Sequence, residues 1–287
     1  MKETGAKRYC GINIEQTPTC IKLDMQDYIE KMFIEFKEPT KSSMPYSERT
    51  IKEMQKGSSN EESMRKLTGS LLFITKVRPD IRFIVSYLCQ YNDGYNKNIY
   101  EQGLKVIGYL KKTQNMRLVI KPENAELLGA FDSDLAGCRE TRKSRNGIII
   151  MLGNSYLHCV SKKQTCVTDS STYAETKCLV SGAKWIVFIR NFMMELGYSF
   201  DVPTTIWQDN MQTIRLINKE DNTRRARGFD ISFKYVCDLV RKNIVKIVHR
   251  RSRMMPADVL TKPVGKNLFR DFLKFIGLQH ASEEGAQ

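Results

Sequence analysis

The chain has 287 residues, 41% hydrophobic and 27% charged, a balance that excludes wholesale disorder and leaves room for two compact domains or one large one. Lysine and arginine number 46 against 32 acidic residues, a formal charge of +14 that directs attention to polyanionic partners: nucleic acid, an acidic membrane surface or an acidic protein. No run nears the roughly 20 apolar residues that span a bilayer, and the opening MKETGAKRYCG lacks the apolar core of a secretory signal, so an intracellular protein without a membrane partner is expected.

In chain order, the first half reads as mainly helical. Residues 28–36, 62–75, 79–90 and 98–112 carry apolar side chains at three- and four-residue spacing, and Pro79 suits a first helical turn. Arg117 to Ile120 reads as a short strand. Between the first two helices, the Ser-, Pro- and Lys-rich stretch from Glu38 to Asn60 has no apolar period and reads as a linker. A second break falls at Lys121-Pro122-Glu123-Asn124.

Beyond that break the texture changes. Residues 127–131, 147–152 and 156–160 are β-rich runs bounded by turn residues, which predicts three successive antiparallel strands. A long helix is predicted from Thr172 to Leu196, with Thr172-x-x-Glu175 as a capping box and Gly197 as its stop. Trp185, Phe188 and Phe192 lie along it at helical spacing and are expected in the core. Then come a strand at 204–207, helices at 211–218 and 229–241, a strand at 244–249 and a closing helix at 268–276. This order implies an α/β (mixed α+β) fold, a five-stranded mixed sheet with flanking helices.

Such a sheet would bring four acidic residues together. Asp132 ends the first strand of the second half, Glu175 opens the long helix, Asp209 ends the fourth strand and Asp258 follows the fifth. Converging carboxylates repel one another and call for divalent cations, and two such ions would suit phosphodiester hydrolysis. Spacing alone leaves open the plainer reading, in which these acids serve as turn and helix-start residues. The eight cysteines form no C-x-x-C pair and the three histidines lie far apart, so zinc is not expected; the cysteines read as reduced, mostly buried apolar residues.

Local sequence narrows the choice. Gly129-Ala130-Phe131-Asp132-Ser133-Asp134-x-Ala136-Gly137, Arg142-Lys143-Ser144-x-x-Gly147, Ser161-Lys162-Lys163-Gln164 and Ser170-Ser171-Thr172-x-Ala174-Glu175 follow one another, and then come Glu195-Leu196-Gly197, Asp209-Asn210 and Ala257-Asp258-x-Leu260-Thr261-Lys262-Pro263. In order and spacing these resemble the ribonuclease H domain of copia-type LTR retrotransposon Pol polyproteins. Gly11-Ile12-x-Ile14, Asp27-Tyr28-Ile29, Leu67-x-Gly69-Ser70-Leu71-Leu72, Arg78-Pro79-Asp80-Ile81 and Tyr109-Leu110-Lys111-x-Thr113 resemble the end of the reverse transcriptase in the same polyprotein.

The resemblance implies two domains: a mainly helical reverse-transcriptase remnant over 1–122 and a ribonuclease H-like domain over 123–278. It implies an endoribonuclease cutting the RNA strand of RNA–DNA hybrids with two Mg²⁺ or Mn²⁺ ions. Its metal and catalytic carboxylates would be Asp132, Glu175, Asp209 and Asp258, with Asp134 in a supporting place. It also implies the remaining polyprotein domains as partners, and a cytoplasmic (virus-like particle) or nuclear location. The family's Tyr-x-Asp-Asp polymerase motif has no counterpart, so no polymerase activity is expected from this stretch alone. A family histidine is replaced by Gly228, a second aligns with Lys234, and two tryptophans read Leu135 and Cys159. A degraded or host-recruited nucleic-acid-binding protein is therefore the alternative, and the loss of an imidazole removes a proton carrier.

The basic runs abut the proposed acids. Arg142, Lys143, Arg145, Lys162 and Lys163 fall on strand hairpins, and Arg224, Arg225 and Arg227 on a later loop; phosphate contacts are expected from them. Ser144, Gln164 and Asn210 are candidates for sugar-hydroxyl contacts in a minor groove. His249, beside Arg250 and Arg251, is expected at the surface.

Overall fold

The computed structural model describes residues 7–57, 62–219 and 231–280. It divides into two compact units, Met1–Lys121 with Pro263–Gln287, and Pro122–Lys262. The segment from Pro263 onward is thus counted with the first unit, whereas the sequence grouped 123–278 together.

The first unit holds more than helices. Strands β1 (Arg8–Tyr9), β2 (Ile12–Gln16), β3 (Ile21–Asp24), β4 (Met116–Ile120) and β10 (Leu278–His280) form an antiparallel sheet in the order β1-β2-β3-β4-β10. Helices still make up most of the unit, as expected, and the small sheet is an addition to them. These strands have two to five residues and half-exposed faces, too short for a period of two to show. The helices are α1 (Gln26–Glu35), α2 (Glu48–Glu53), α3 (Glu62–Ile74), α4 (Arg82–Leu88, after a 3-10 turn at Pro79–Ile81), α5 (Lys97–Lys112) and α9 (Lys266–Phe275). The supposed linker at 38–60 contains α2 and buries Tyr46, Ile51 and Met54, which stand too far apart in sequence to reveal a period.

A buried polar network ties this unit together. Arg78, 2% exposed, donates from Nε and Nη2 to the two oxygens of Asp80 at 3.0 and 2.7 Å, and from Nη2 to Thr113 Oγ1 at 2.8 Å. The Tyr109 hydroxyl donates to Asp80 Oδ2 at 2.6 Å. Two motifs 30 residues apart in the sequence thus close on one ion pair.

The second unit has the expected mixed five-stranded sheet. Strands β5 (Leu127–Asp134), β6 (Arg145–Leu152) and β7 (Ser155–Lys163) form an antiparallel meander; β8 (Thr204–Gln208) and β9 (Val245–His249) extend it in parallel, giving the order β7-β6-β5-β8-β9. Helix α6 (Ser171–Glu195) links β7 to β8, and α7 (Met211–Lys219) and α8 (Ile231–Arg241) lie between β8 and β9. The core gathers Phe131, Ile148 and Ile206 from the sheet with Leu179, Ala183, Ile186 and Val236 from the helices. In α6, Gly182 lies against the Phe131 ring, and a Cβ there would come within 2.4 Å of it.

Two expectations about α6 fail. Its cap is Ser170, in extended conformation, whose hydroxyl accepts the Tyr173 N–H. Thr172 instead donates to Gln212 Oε1 at 3.1 Å, and Glu175 lies beyond the first turn. Nor are Trp185, Phe188 and Phe192 core residues: the two phenylalanines are 61% and 54% exposed. Trp185 stacks on His158, with centroids 4.2 Å apart. Both faces of α6 carry apolar residues at helical spacing, so periodicity could not say which face would be buried.

Candidate active site

Strand direction places the acids. Because β5 and β8 run parallel, with Ala130 opposite Trp207, Asp132 and Asp209 emerge at the same sheet edge. Glu175 reaches that edge from the second turn of α6. One carboxylate oxygen from each of Asp132, Glu175 and Asp209 lies within 4.8 Å of the other two. Asp258 sits on a 3-10 turn, Pro256–Leu260, that packs on β6 because Gly147 has no side chain: a Cβ there would meet the Ala257 carbonyl at 2.6 Å. Asp258 stands outside the group of three but close enough to Asp132 to repel it.

Neutral partners hold each acid in place. Thr261 Oγ1 donates to Asp132 Oδ2 at 2.7 Å. Glu175 accepts from Gln208 Nε2 at 3.1 Å and from the Ser133 N–H at 3.3 Å. Asp209 Oδ2 accepts from Ser252 Oγ at 2.7 Å. Gln208 is fully buried and works at both ends, since its Oε1 takes the N–H groups of Asp209 and Asn210 at 2.7 and 2.9 Å. The sole cation bound to an acid of this cluster, among the described residues, is Lys262, whose Nζ lies 3.0 Å from Asp258 Oδ2.

Electrostatics follow from this crowding. Burial, then Asp258, pushes Asp132 up to about 7, and burial, then Asp132 and Asp209, pushes Glu175 up to about 9. Burial also raises Asp134. Burial works against the charged form of Lys262, yet Asp258 and Asp132 raise it overall. With an effective dielectric of about 20, two carboxylate charges this close repel by about 3 kcal/mol. Three such pairs would consume most of a domain's net stability of roughly 5–15 kcal/mol. Crowding of this kind calls for protons or cations to offset the charges of Asp132 and Glu175.

An all-oxygen donor set suits hard divalent cations such as Mg²⁺ or Mn²⁺. The Asp258 Oδ1 atom is buried and accepts no hydrogen bond among the described residues, which fits a cation ligand. Asp132, Glu175, Asp209 and Asp258 are the residues able to hold such ions.

The remaining site candidates divide. Arg142 and Lys162 are exposed, and Lys143 and Lys163 half-buried. Ser144, by contrast, is fully buried, accepting from the Ala136 N–H and bonded to the Thr168 hydroxyl, and is thereby removed from any sugar contact. Gln164 is also buried, its Nε2 directed at Asn146, Ser133 and the Ala174 carbonyl. The Asn210 side-chain oxygen caps α7 through Gln212 and Thr213. Arg224, Arg225, Arg227 and Gly228 lie outside the described residues. His249 is exposed at the end of β9, as expected. Gln208, Ser252 and Thr261 went unnoticed as supports; only the spacing of Asp258, Thr261 and Lys262 carried a helical-turn signal.

A three-strand antiparallel meander continued by two parallel strands, with Asp132 and Asp209 at the carboxyl ends of β5 and β8, is the topology of the ribonuclease H type of fold. No protein-family model matches the chain. It is 28% identical over 276 residues to the retrovirus-related Pol polyprotein from transposon RE1 of Arabidopsis thaliana, which covers 94% of this chain and 19% of that protein. It is 25% identical to the Pol polyprotein from transposon TNT 1-94 of Nicotiana tabacum, over 97% of this chain and 22% of that one. By sequence the chain is similar to the Pol polyproteins of these retrotransposons, and it spans about a fifth of their length. Among solved structures, LC11-RNase H1 in complex with RNA/DNA hybrid is 13% identical over 47% of this chain and 94% of that one, with a TM-score of 0.36, too low to carry weight. No helix among the described residues is long and apolar enough to cross a membrane.

Proposed function

We propose that this chain is a divalent-metal-dependent endoribonuclease of retrotransposon origin that cuts the RNA strand of RNA–DNA hybrids. The observation that carries the reading is the convergence of Asp132, Glu175 and Asp209 from three separate elements, the first two of them buried. A pair of bound Mg²⁺ or Mn²⁺ ions would supply an activated water and stabilise the leaving 3′ oxygen. The chain's own residues position the rest. Thr261 fixes the Asp132 carboxylate, Gln208 holds Glu175 and the backbone of Asp209, and Lys262 pairs with Asp258. On this reading 1–122 descends from the reverse transcriptase and 123–278 from the ribonuclease H domain, and polymerisation needs the palm motif found elsewhere in the polyprotein, whose other domains are the natural partners.

The test is cleavage of a labelled hybrid in Mg²⁺, in Mn²⁺ and in EDTA. Metal-dependent cuts in the RNA strand alone are expected. Equal background in all three would leave a nucleic-acid-binding protein without catalysis, the reading favoured by Gly228 standing where the family has histidine.

A further inference from the structure

A cleft of about 280 Å³ opens between the outer edge of the second unit's sheet and α6. Its walls carry Lys162 and Lys163 from β7 and Lys177 and Lys184 from α6. No carboxylate lines it, and none pairs with these lysines, among the described residues. Four ammonium groups around one concavity repel each other, as the acids do at the sheet edge, and the sign of the missing partner is opposite.

Placement gives the cleft a direction. Tyr173 and Thr176, which flank Glu175 on α6, line one end, and Lys184 lies at the other. From Lys177 to Lys184 is seven residues, about 10 Å of helix at 1.5 Å per residue. That matches roughly three nucleotide steps of a strand at about 3.4 Å each. Lys177 is braced from below: its Nζ lies 4.9 Å from the centre of the Tyr173 ring and donates to Cys166 and Tyr173. Lys163 Nζ lies 3.8 Å from Cys138 Sγ. Sulfur and aromatic neighbours, with no carboxylate among them, orient these two ammonium groups. Lys162 and Lys184 are exposed and complete the rim.

We infer that this cleft binds the phosphodiester backbone of the hybrid beyond the scissile phosphate, with Lys177 and Lys184 on α6 as phosphate contacts in addition to Lys162 and Lys163. The inference rests on the proposed hybrid substrate, and it assigns α6 two roles: one turn supplies Glu175, and the following turns grip the strand. An exosite of this kind lowers KM for substrates long enough to reach it and leaves kcat unchanged, because it holds ground state and transition state alike.

The experiment measures full-chain binding to a hybrid of about 20 base pairs, two helical turns, by salt titration in the Asp209→Asn background without metal, and cleavage of the same hybrid by chains retaining Asp209. Lys184→Gln alone, at an exposed position, should reduce the magnitude of the salt slope by about one, and Lys177→Gln/Lys184→Gln by about two. Cleavage should show KM raised several-fold at constant kcat. Lys246→Gln, an exposed lysine on β9, removes the same charge elsewhere and should leave the slope nearly unchanged. An unchanged slope in Lys184→Gln and the double variant, or an equal drop in Lys246→Gln, would overturn the assignment. If the chain cleaves nothing yet the α6 lysines still set the salt slope, the nuclease reading fails and the cleft stands.

Discussion

The two units each bury a cluster of charged or polar side chains, and the clusters are built on opposite plans. Around Arg78 every charge is answered: Asp80 takes two bonds from the guanidinium and one from Tyr109, and Thr113 accepts two more from the guanidinium. Around Asp132 the charges are of one sign, and the partners at hand are hydroxyls, an amide and one lysine at the margin. A balanced cluster needs nothing further and fixes a fold. An unbalanced one costs stability, and its persistence in a well-packed sheet marks a place prepared for something that is not part of the chain. Burial of polar groups alone would not separate the two cases, whereas the sign of the charges does.

The widest separation should appear in Asp209→Asn. Hybrid cleavage in Mg²⁺ should fall by roughly 10³-fold or more while thermal stability holds or rises, since a repelling charge has gone and shape is kept. A variant that loses stability and activity together would make the acid cluster structural, like its counterpart. Next is Arg78→Leu, which leaves Asp80 buried without its cation. It should destabilise the chain by about 3–5 kcal/mol in denaturant titration, with cleavage per folded molecule unchanged. No loss of stability would show that the first network is dispensable.

Smaller, and sharper, is the pH dependence without metal. Asp132 and Glu175 bind protons more tightly folded than unfolded, at about 7 and about 9 against ordinary values of 3.8 and 4.5. Folded-state protonation is thus favourable, so stability should be greatest near pH 4 and decline as pH rises toward 9, the reverse of a salt-bridged carboxylate. Saturating Mg²⁺ should flatten that decline, and so, in part, should Asp132→Asn. Melting curves in EDTA that improve between pH 5 and 8 would contradict this account. Smallest of all, Thr261→Val removes one bond to Asp132, worth about 1 kcal/mol. A several-fold higher Mg²⁺ concentration for half-maximal cleavage is expected, with the maximal rate nearly restored at high Mg²⁺.

Much of the acid centre could be read in the sequence because strand ends and a helix start carry local signals. Asp132 closes a β-rich run, Asp209 closes another, and parallel pairing does the rest. What escaped was whatever depends on which way a side chain turns. Ser144, Gln164 and Asn210 stand in polar motifs beside the acids, yet the structure uses Ser144 and Gln164 for internal bonds and the Asn210 oxygen as a helix cap. The lysines of α6 went unmarked for the converse reason: spaced along a helix, they resemble any solvated face until β7 closes the other wall. Of the first unit's sheet only β4 was legible, because the other strands are short and β3 pairs with a strand more than 90 residues away.

The contact between Gly182 and Phe131 bears on how such a chain would decay. Phe131 immediately precedes Asp132, and Gly182 is two turns along α6 from Glu175, so the thickness of a missing methyl group sets the gap between the two acids. A single alanine at 182 would wedge helix from strand and part the carboxylates while altering none of them. Every signature residue would survive in such a copy, and the chemistry would not. Silence in this sequence could therefore begin at a glycine that no motif contains.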